Sequence, residues 1–161
     1  MATILSGREM ADELTARQKA RVEELKAQGI HPGLAVVIVG DDPASHIYVR
    51  NKGLACEAIG IYSRTIRLDA ACSQQELLDT IRGLNEDGRI SGILVQLPLP
   101  KHLDEDQALA AILPEKDVDG FHLINAGRLF TAQEGVVACT PKGVMYMLKH
   151  AGIPLSGKEA V

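Results

Sequence analysis

The sequence predicts an α/β domain with three layers, in which helices cover both faces of a mostly parallel sheet. Three observations support this prediction. Residues 34–39 form an uninterrupted apolar run, which is typical of a strand buried on both faces. Strand, turn and helix patterns follow one another along the chain, as in parallel sheets whose strands are joined by helices. Residues that cap helices stand where the helical patterns begin.

The N-terminal segment predicts a long amphipathic helix followed by the first strand. Ser6 can cap the helix, and Glu9 stands three residues later in its first turn. Apolar residues recur from Met10 onward at broadly helical spacing until Gly29, which is expected to end the helix. A turn then leads into the strand over residues 34–39.

The remaining elements continue the alternation of strands and helices. They are a helix over residues 43–59, a strand over 61–68, a helix capped by Ser73 with Glu76 three residues later, a strand over 93–95, a short helix around 105–112, a loop over 114–127 and a last helix over 141–150. On the helix over 43–59, we expect Ile47, Leu54 and Ala58 to form the stripe that faces the core.

Composition and charge suit one globular domain and exclude two classes of partner. The chain has 161 residues, of which 46% are hydrophobic and 24% charged. Aromatic residues make up 3%, Trp is absent and the net charge is -4, so no nucleic-acid partner is expected. No apolar run approaches the roughly 18 residues of a membrane span, and the N-terminus has no export signal, so no membrane partner is expected either.

Cysteine, histidine and glycine patterns limit the chemistry further. Cys56, Cys72 and Cys139 are widely spaced, which predicts neither a disulfide framework nor a paired metal site and favours a reducing, cytoplasmic compartment. The five histidines show no metal-ligand spacing, so no metal is expected. There is no Gly-x-Gly-x-x-Gly or phosphate-loop pattern, so no nucleotide-binding loop is expected within these residues.

The helix over residues 43–59 carries the first candidate site residues. Ser45, Tyr48 and Lys52 have the spacing i, i+3, i+7 and lie along one stripe of the helix. A lysine beside an apolar stripe can be partly desolvated, which lowers its pKa and lets its amine exchange a proton near neutral pH, while a tyrosine hydroxyl orients it. The spacing alone favours a plainer alternative, in which these side chains are solvated.

Two loops supply the other candidates. Gln96 directly follows the strand over 93–95, at the end where open α/β sheets hold ligand-contacting groups. Its amide could hold a lysine amine or could satisfy the backbone of the turn. Asp117 and Asp119 are two residues apart, and we expect their carboxylates to point to opposite sides. An inward carboxylate could bind an amino-pyrimidinone edge through two hydrogen bonds, or both acids could be solvated turn formers.

Three segments together form a more specific pattern. They are the Tyr-x-x-x-Lys pattern within residues 39–52, Gly-Ile-Leu-Val-Gln-Leu-Pro-Leu-Pro at 92–100, and Pro-Glu-Lys-Asp-Val-Asp-Gly-Phe-His at 114–122 followed by Asn-Ala-Gly-Arg-Leu at 125–129. In this order they resemble the N-terminal catalytic domain of the bifunctional methylenetetrahydrofolate dehydrogenase/cyclohydrolase (FolD) family. The likeness extends from Gly7 to Val161. Cys-Thr-Pro-Lys-Gly at 139–143 resembles the family's Pro-Cys-Thr-Pro stretch, with Ala138 in place of the usual Pro.

The resemblance implies two reactions on one folate. Oxidation of 5,10-methylenetetrahydrofolate by NADP gives 5,10-methenyltetrahydrofolate, and hydrolysis of that cation gives 10-formyltetrahydrofolate. By this likeness Lys52 is the general acid/base of the hydrolysis, Tyr48 orients Lys52 and stacks near the pterin, and Gln96 tunes Lys52. The likeness also implies that Asp119 grips the pterin edge and that Ser45 supports the helix start or contacts substrate.

The same resemblance implies an incomplete set of domains. Residues 1–150 would be the folate-binding catalytic domain, and residues 151–161 would begin the connection to a missing Rossmann domain that binds NADP. Tetrahydrofolate derivatives are the implied substrates, and the intact protein is expected to be a homodimer. One-carbon metabolism that serves purine biosynthesis is the implied role.

Two other functions fit the same architecture. A noncatalytic folate-binding or regulatory module would use the same pocket. The substrate domain of an amino-acid dehydrogenase would share the fold but would not need the loop that carries Asp119. Substitution of Lys52 separates the first alternative from an enzyme, and protection by folate against thermal unfolding separates the second.

Overall fold

Strands and helices alternate along the chain, which confirms the predicted α/β class. The computed structural model describes residues 4–159, and of residues 43–46 it describes the backbone only. Within that range the elements are α1 (Gly7–Ala27), β1 (Gly33–Val39), α2 (Pro43–Ile59), β2 (Tyr62–Leu68), α3 (Gln74–Glu86), β3 (Gly92–Val95), α4 (Glu105–Ala110), α5 (Leu123–Phe130) and α6 (Cys139–His150). None of these helices has the length and apolar content that a membrane span requires.

The three strands form one parallel sheet in the order β2-β1-β3. At the centre of β1, Val37 pairs with Ile66 of β2 on one side and with Val95 of β3 on the other. Residues 35–39 of β1 are all buried, because this strand has a neighbouring strand at each edge and packed side chains on both faces. The apolar run in the sequence therefore marks the central strand of the sheet.

Side chains of β1 alternate between two parts of the core. Residues 35, 37 and 39 pack on one face with buried side chains of α3 and α4, among them Leu77, Ile81 and Ala108. Residues 36 and 38 pack on the other face with Val49 of α2. Helices α3 and α4 therefore cover one face of the sheet, and α2, against which α1 packs, covers the other, as predicted.

Two serines begin helices where the sequence predicts them. The Ser6 hydroxyl accepts a hydrogen bond from the Glu9 amide at 3.4 Å, and α1 starts at the next residue. The Ser73 hydroxyl accepts from the Glu76 amide at 3.1 Å, and α3 starts at the next residue. These local bonds satisfy backbone donors that would otherwise lack a partner in the first helical turn.

Part of the segment predicted as a loop is helical, so the loop prediction over 114–127 was wrong from Leu123 onward. The cap of α5 is His122, whose Nδ1 accepts a hydrogen bond from the Ile124 amide at 3.1 Å. Asn125, in the first turn, is only 1% exposed and donates from Nδ2 to the Pro114 carbonyl at 2.8 Å. Histidine is not a usual cap, and the buried amide is held by tertiary contacts, so local sequence patterns do not signal this helix.

The core-facing stripe of α2 also differs from the prediction. Ile47 and Leu54 are 64% and 54% exposed, and Ala58 is exposed as well. The buried residues of this helix include Val49 and Cys56, which lie about half a turn away around the helix. Two apolar stripes are possible on this helix, and the sequence alone does not show which one meets the sheet.

Candidate active site

A cleft of about 660 Å³ lies between α2 and three loop segments. These segments are the residues that directly follow β3, residues 118–121 before α5, and residues 138–141 at the start of α6. Apolar side chains such as Leu34, Leu94 and Val118 form much of its lining, and a few polar groups interrupt it. Small-molecule sites generally have this size and this mixture of surfaces.

Four of the predicted site residues line this one cleft. Tyr48 and Lys52 reach it from α2, Gln96 from the end of β3, and Asp119 from the loop before α5. The fifth, Ser45, lies in the first turn of α2, and its side chain falls outside the described part of the structure. Residues from three distant segments are thus brought together by the fold.

Lys52 is half-buried and stands beside an aromatic ring. Its Nζ lies 4.6 Å from the centroid of the Tyr48 ring, within the range of a cation–π interaction. Burial lowers the pKa of Lys52, because desolvation disfavours the ammonium form, and the nearby Asp119 carboxylate partly opposes this change. The position of Lys52 explains the burial, since it is close to the true core stripe of α2.

The pKa of Asp119 is shifted in the opposite direction to that of Lys52. Burial raises the pKa of its carboxyl group, Lys52 opposes this rise, and the neighbouring Asp117 adds to it. The pKa values of Lys52 and Asp119 are therefore closer together than those of the same two groups in water. A base and an acid brought together in this way can exchange protons with a bound molecule at moderate pH.

Gln96 offers an unused hydrogen-bond acceptor. Its Nε2 donates to the Leu97 carbonyl at 2.8 Å, which fixes the amide plane. Its Oε1 is buried and has no hydrogen-bond partner among the described residues. The expected hydrogen bond to Lys52 is not formed here, and the free oxygen can receive an N–H from Lys52 or from a bound molecule.

The two acids of the loop before α5 face different surroundings, as expected, but strand alternation is not the reason, because it puts residues two apart on the same face and the turn at Gly120 separates them instead. Asp119 lines the cleft, whereas Asp117 is 2% exposed on the other side of the loop. The Asp117 carboxylate accepts hydrogen bonds from the amides of Gly120 and His122, each at 3.0 Å. It is therefore a buried structural acid, and neither aspartate is a plain solvated turn former.

Several lining residues are absent from the sequence-based set of candidates. These residues, which all line the walls of the cleft, are Gln18, Cys56, Phe121, Cys139, Thr140 and Pro141. Phe121 and residues 139–141 belong to the segments that carry the family resemblance. Those segments are the signal that could have identified these residues as part of the cleft. Nothing local marks Gln18 or Cys56, because only the packing of α1 and α2 directs them to the cleft.

The described residues form no metal-ligand cluster, and the turn that could hold a phosphate carries acidic residues. In residues 4–159, no three histidine, cysteine or acidic side chains are grouped so that they could hold a metal ion. The turn between β1 and α2, where open α/β sheets can hold phosphate, carries Asp41 and Asp42 after Gly40. Two acidic residues make that turn a poor place for the NADP phosphates.

Comparison with known proteins agrees with the geometry of the cleft. Residues 5–119 match the sequence model of the family described as "Tetrahydrofolate dehydrogenase/cyclohydrolase, catalytic domain". The chain is 56% identical over 160 residues to the bifunctional protein FolD of Moorella thermoacetica, covering 99% of this chain and 57% of that protein. It is 51% identical over 161 residues to the FolD protein of Enterococcus faecalis, covering 100% of this chain and 57% of that protein.

Solved structures give the same result. The methylenetetrahydrofolate dehydrogenase/cyclohydrolase FolD of Campylobacter jejuni superposes with a TM-score of 0.95 at 46% identity, covering 97% of this chain and 56% of that one. The Trypanosoma brucei FolD, solved with NADP cofactor and inhibitor, superposes with a TM-score of 0.93 at 35% identity, covering 98% and 54%. The chain thus spans little more than half the length of the relatives it matches. It belongs to the tetrahydrofolate dehydrogenase/cyclohydrolase family, and residues 5–119 match the catalytic domain of that family.

Proposed function

We propose that this chain is the folate-binding part of an enzyme that oxidises 5,10-methylenetetrahydrofolate with NADP and hydrolyses the product to 10-formyltetrahydrofolate. The observation that carries the proposal is the convergence of Tyr48, Lys52, Gln96 and Asp119 on one largely apolar cleft. The cleft is large enough for a flat heterocycle, and its polar groups are few and different in character. The names of the relatives support the same pair of reactions.

In this proposal Lys52 moves the proton of the hydrolytic step. The neutral amine takes a proton from water as the water oxygen bonds to the cationic methenyl carbon. The resulting ammonium then returns the proton to the ring nitrogen as the bond between that nitrogen and the carbon breaks, and the remaining hydroxyl proton is released to water as the formyl C=O forms. Half-burial suits this role, because it lowers the pKa of Lys52 and so increases the neutral fraction of the amine.

The other cleft residues hold Lys52 and the substrate. Tyr48 orients Lys52 through the contact with its ring and stacks near the pterin. The free Oε1 of Gln96 accepts an N–H from the Lys52 amine and so tunes it. Asp119 accepts hydrogen bonds from the amino-pyrimidinone edge of the pterin. Ser45, at the start of α2, supports the helix or contacts the substrate.

The oxidation requires NADP, which accepts a hydride when it is bound. We assign its site to the part of the intact protein that this chain does not span, since the β1–α2 turn does not suit a diphosphate. Residues 1–150 would then be the folate-binding domain, and residues 151–161 would begin the connection to the NADP-binding domain. The T. brucei relative was solved with NADP, which supports this cofactor.

Location and assembly complete the proposal. Cys56, Cys72 and Cys139 are free thiols, which supports a reducing compartment such as the cytoplasm. For the intact protein we propose a homodimer and a role in the one-carbon supply for purine biosynthesis. Light scattering on the intact protein measures its oligomeric state.

Replacing Lys52 tests the proposed chemistry. We expect Lys52→Met to abolish catalysed hydrolysis of 5,10-methenyltetrahydrofolate, because the general base is lost, and to change the Kd for tetrahydrofolate by less than about threefold. Hydrolysis is followed by the absorbance of the methenyl compound, and binding by calorimetry. Lys142→Met, at an exposed position of α6, serves as the matched control and should leave both unchanged.

Three results would contradict the proposal. Full hydrolytic activity in Lys52→Met would exclude Lys52 as the base, and equal background hydrolysis by the unaltered protein and the variant would indicate a noncatalytic folate-binding module. If tetrahydrofolate gives the chain no protection against thermal unfolding, the cleft is not a folate site.

A further inference from the structure

A buried carboxylate–amide pair lies behind the loop that carries Asp119. Asp117 and Asn125 are 2% and 1% exposed, and they are the buried polar residues of the described part of the chain. The Nδ2 of Asn125 donates to the Asp117 carboxylate at 2.8 Å and to the Pro114 carbonyl, also at 2.8 Å. Neither side chain lines the cleft, so the proposed mechanism does not use them directly.

This pair holds the backbone on both sides of Asp119. One oxygen of Asp117 accepts from the Gly120 amide at 3.0 Å, and the other accepts from the His122 amide at 3.0 Å. Asp119 lies in the short segment between Asp117 and Gly120. These bonds therefore fix the direction in which the Asp119 side chain leaves the turn. Bonds of amides to a buried carboxylate are strong, because the acceptor is charged and water is excluded.

The amino end of the turn is fixed to the sheet. Asp117 forms an isolated parallel bridge with Ile93 of β3, and the Ile93 amide donates to the Lys116 carbonyl at 2.7 Å. Asn125, at the other end, belongs to the first turn of α5. The pair therefore connects the third strand, the Asp119 turn and the following helix.

The turn also contacts a second wall of the cleft. Gly120 has a φ of +72°, and a Cβ added to it would lie 2.9 Å from the Val136 carbonyl oxygen and 3.0 Å from the Ala138 nitrogen. The backbones of the two segments therefore touch, which only glycine permits here. Residues 138–141 line the cleft, so a shift of the turn would move both Asp119 and this wall.

We propose that Asp117 and Asn125 are positioning residues, which keep the Asp119 carboxylate directed into the cleft that Lys52 also lines, and so toward the bound folate. Only the identity of the ligand in this inference rests on the proposed function. The geometric part, the direction of Asp119 into the cleft that Lys52 also lines, is independent of any substrate.

The test compares Asn125→Ala with Asn85→Ala in the 161-residue chain. Asn85 is a matched control, because its side chain also bridges two backbone groups: it donates to the Ala111 carbonyl at 2.8 Å and accepts from the Leu113 amide at 3.1 Å. It does not line the cleft. Both variants should lower the midpoint of thermal unfolding, each by roughly 2–8 °C.

Two readouts separate positioning from mere stabilisation. Nuclear magnetic resonance of the Lys52 side chain should show its pKa falling in Asn125→Ala, as in Asp119→Asn, because the opposing charge is withdrawn in both. The Kd for tetrahydrofolate should rise about tenfold in Asn125→Ala. Asn85→Ala should leave both quantities unchanged. In the double variant with Asp119→Asn, the two effects on the Kd should be less than additive.

The outcomes distinguish this inference from the proposed function. An unchanged Lys52 titration in Asn125→Ala, or equal changes in Asn125→Ala and Asn85→Ala, would overturn the positioning role. If the unaltered chain does not bind tetrahydrofolate, the proposed function fails, and the Lys52 titration still decides whether Asn125 positions Asp119.

Discussion

Burial in the cleft and the charge of the partner group act in opposite directions on Lys52 and on Asp119. Burial shifts the pKa of each group toward its neutral form, and the charge of the other group opposes that shift. Neither side chain would have this property alone on a solvated helix or loop. The chemistry of the site therefore depends on the pair rather than on an unusual residue.

Removing the Asp119 charge should change the pH dependence of hydrolysis. In Asp119→Asn the opposing carboxylate is lost, so the pKa of Lys52 should fall further below its usual value. The amine is neutral above its pKa, so the acid limb of kcat should move to lower pH. The KM should rise roughly 10–100-fold with the loss of the charge-assisted bonds to the pterin. The measurement is the pH profile of kcat at saturating 5,10-methenyltetrahydrofolate.

Glu115→Gln provides the control for this experiment. Glu115 is an exposed acid in the segment before Asp119, and it does not line the cleft. Its substitution removes the same charge from the chain and should leave both kcat and KM unchanged. An acid limb that moves to higher pH in Asp119→Asn, or an equal shift in Glu115→Gln, would contradict the assigned coupling.

At the scale of single residues, the sequence indicates which residues belong to the site better than it indicates the contacts that they make. The different placement of Asp117 and Asp119 does not follow from strand alternation, which puts residues two apart on the same face, and comes instead from the turn at Gly120. The resemblance supplied the roles of Lys52, Tyr48 and Gln96, since local patterns alone favoured solvated side chains for Lys52 and Tyr48 and allowed a turn-forming role for Gln96. The free Oε1 of Gln96 could not be predicted, because it depends on the direction of the turn after β3.

Among the helices, α3 depends on a long-range cap at its carboxyl end. The Lys116 Nζ donates to the carbonyls of Leu84, Asn85 and Asp87, at 3.3, 2.7 and 3.2 Å. Carbonyl groups at this end of a helix lack partners within the helix and carry partial negative charge, so an ammonium group stabilises them. The same lysine thereby fixes the loop before Asp117 against α3.

Lys116→Met should destabilise the domain by about 1–3 kcal/mol, since three backbone acceptors lose a charged donor. The free energy of unfolding is measured by urea denaturation followed by circular dichroism, because the chain has no tryptophan for a fluorescence signal. Lys101→Met, at an exposed position, is the control and should change it by no more than about 0.5 kcal/mol. Equal stability of the two variants would show that the cap contributes nothing.

Elements with local signals were predicted, and elements that depend on tertiary contacts were not. The apolar run of β1 and the serine caps of α1 and α3 are contained in a few neighbouring residues, so the sequence indicates them. The helix α5 depends on Asn125, whose partner Asp117 is eight residues away and buried with it. The face of α2 could not be chosen locally, because both of its stripes contain apolar residues.

At the scale of the whole molecule, the described residues contain the proposed folate cleft, while the β1–α2 turn, with Asp41 and Asp42, is a poor place for the phosphates of NADP. The sheet brings together segments that lie far apart in the chain, such as α2 and the loop before α5, and this assembly requires only the three parallel strands. Folate binding and proton transfer can thus belong to one domain and hydride acceptance to another.

The purified 161-residue chain should therefore produce no NADPH from 5,10-methylenetetrahydrofolate and NADP. The formation of NADPH is followed by its near-ultraviolet absorbance, with an intact FolD protein as the positive control. Tetrahydrofolate should still raise the midpoint of thermal unfolding of the chain, because binding stabilises the folded state. Sustained NADPH formation by the chain alone would disprove the division of labour between domains.

The distribution of thiols has a practical consequence for following the cleft. Cys56 and Cys72 are buried, whereas Cys139 is exposed and stands on the wall of the cleft. A maleimide fluorophore therefore reacts with Cys139 before it reacts with Cys56 or Cys72, and no cysteine has to be engineered. The natural sequence already contains an attachment point for an optical sensor of cleft occupancy.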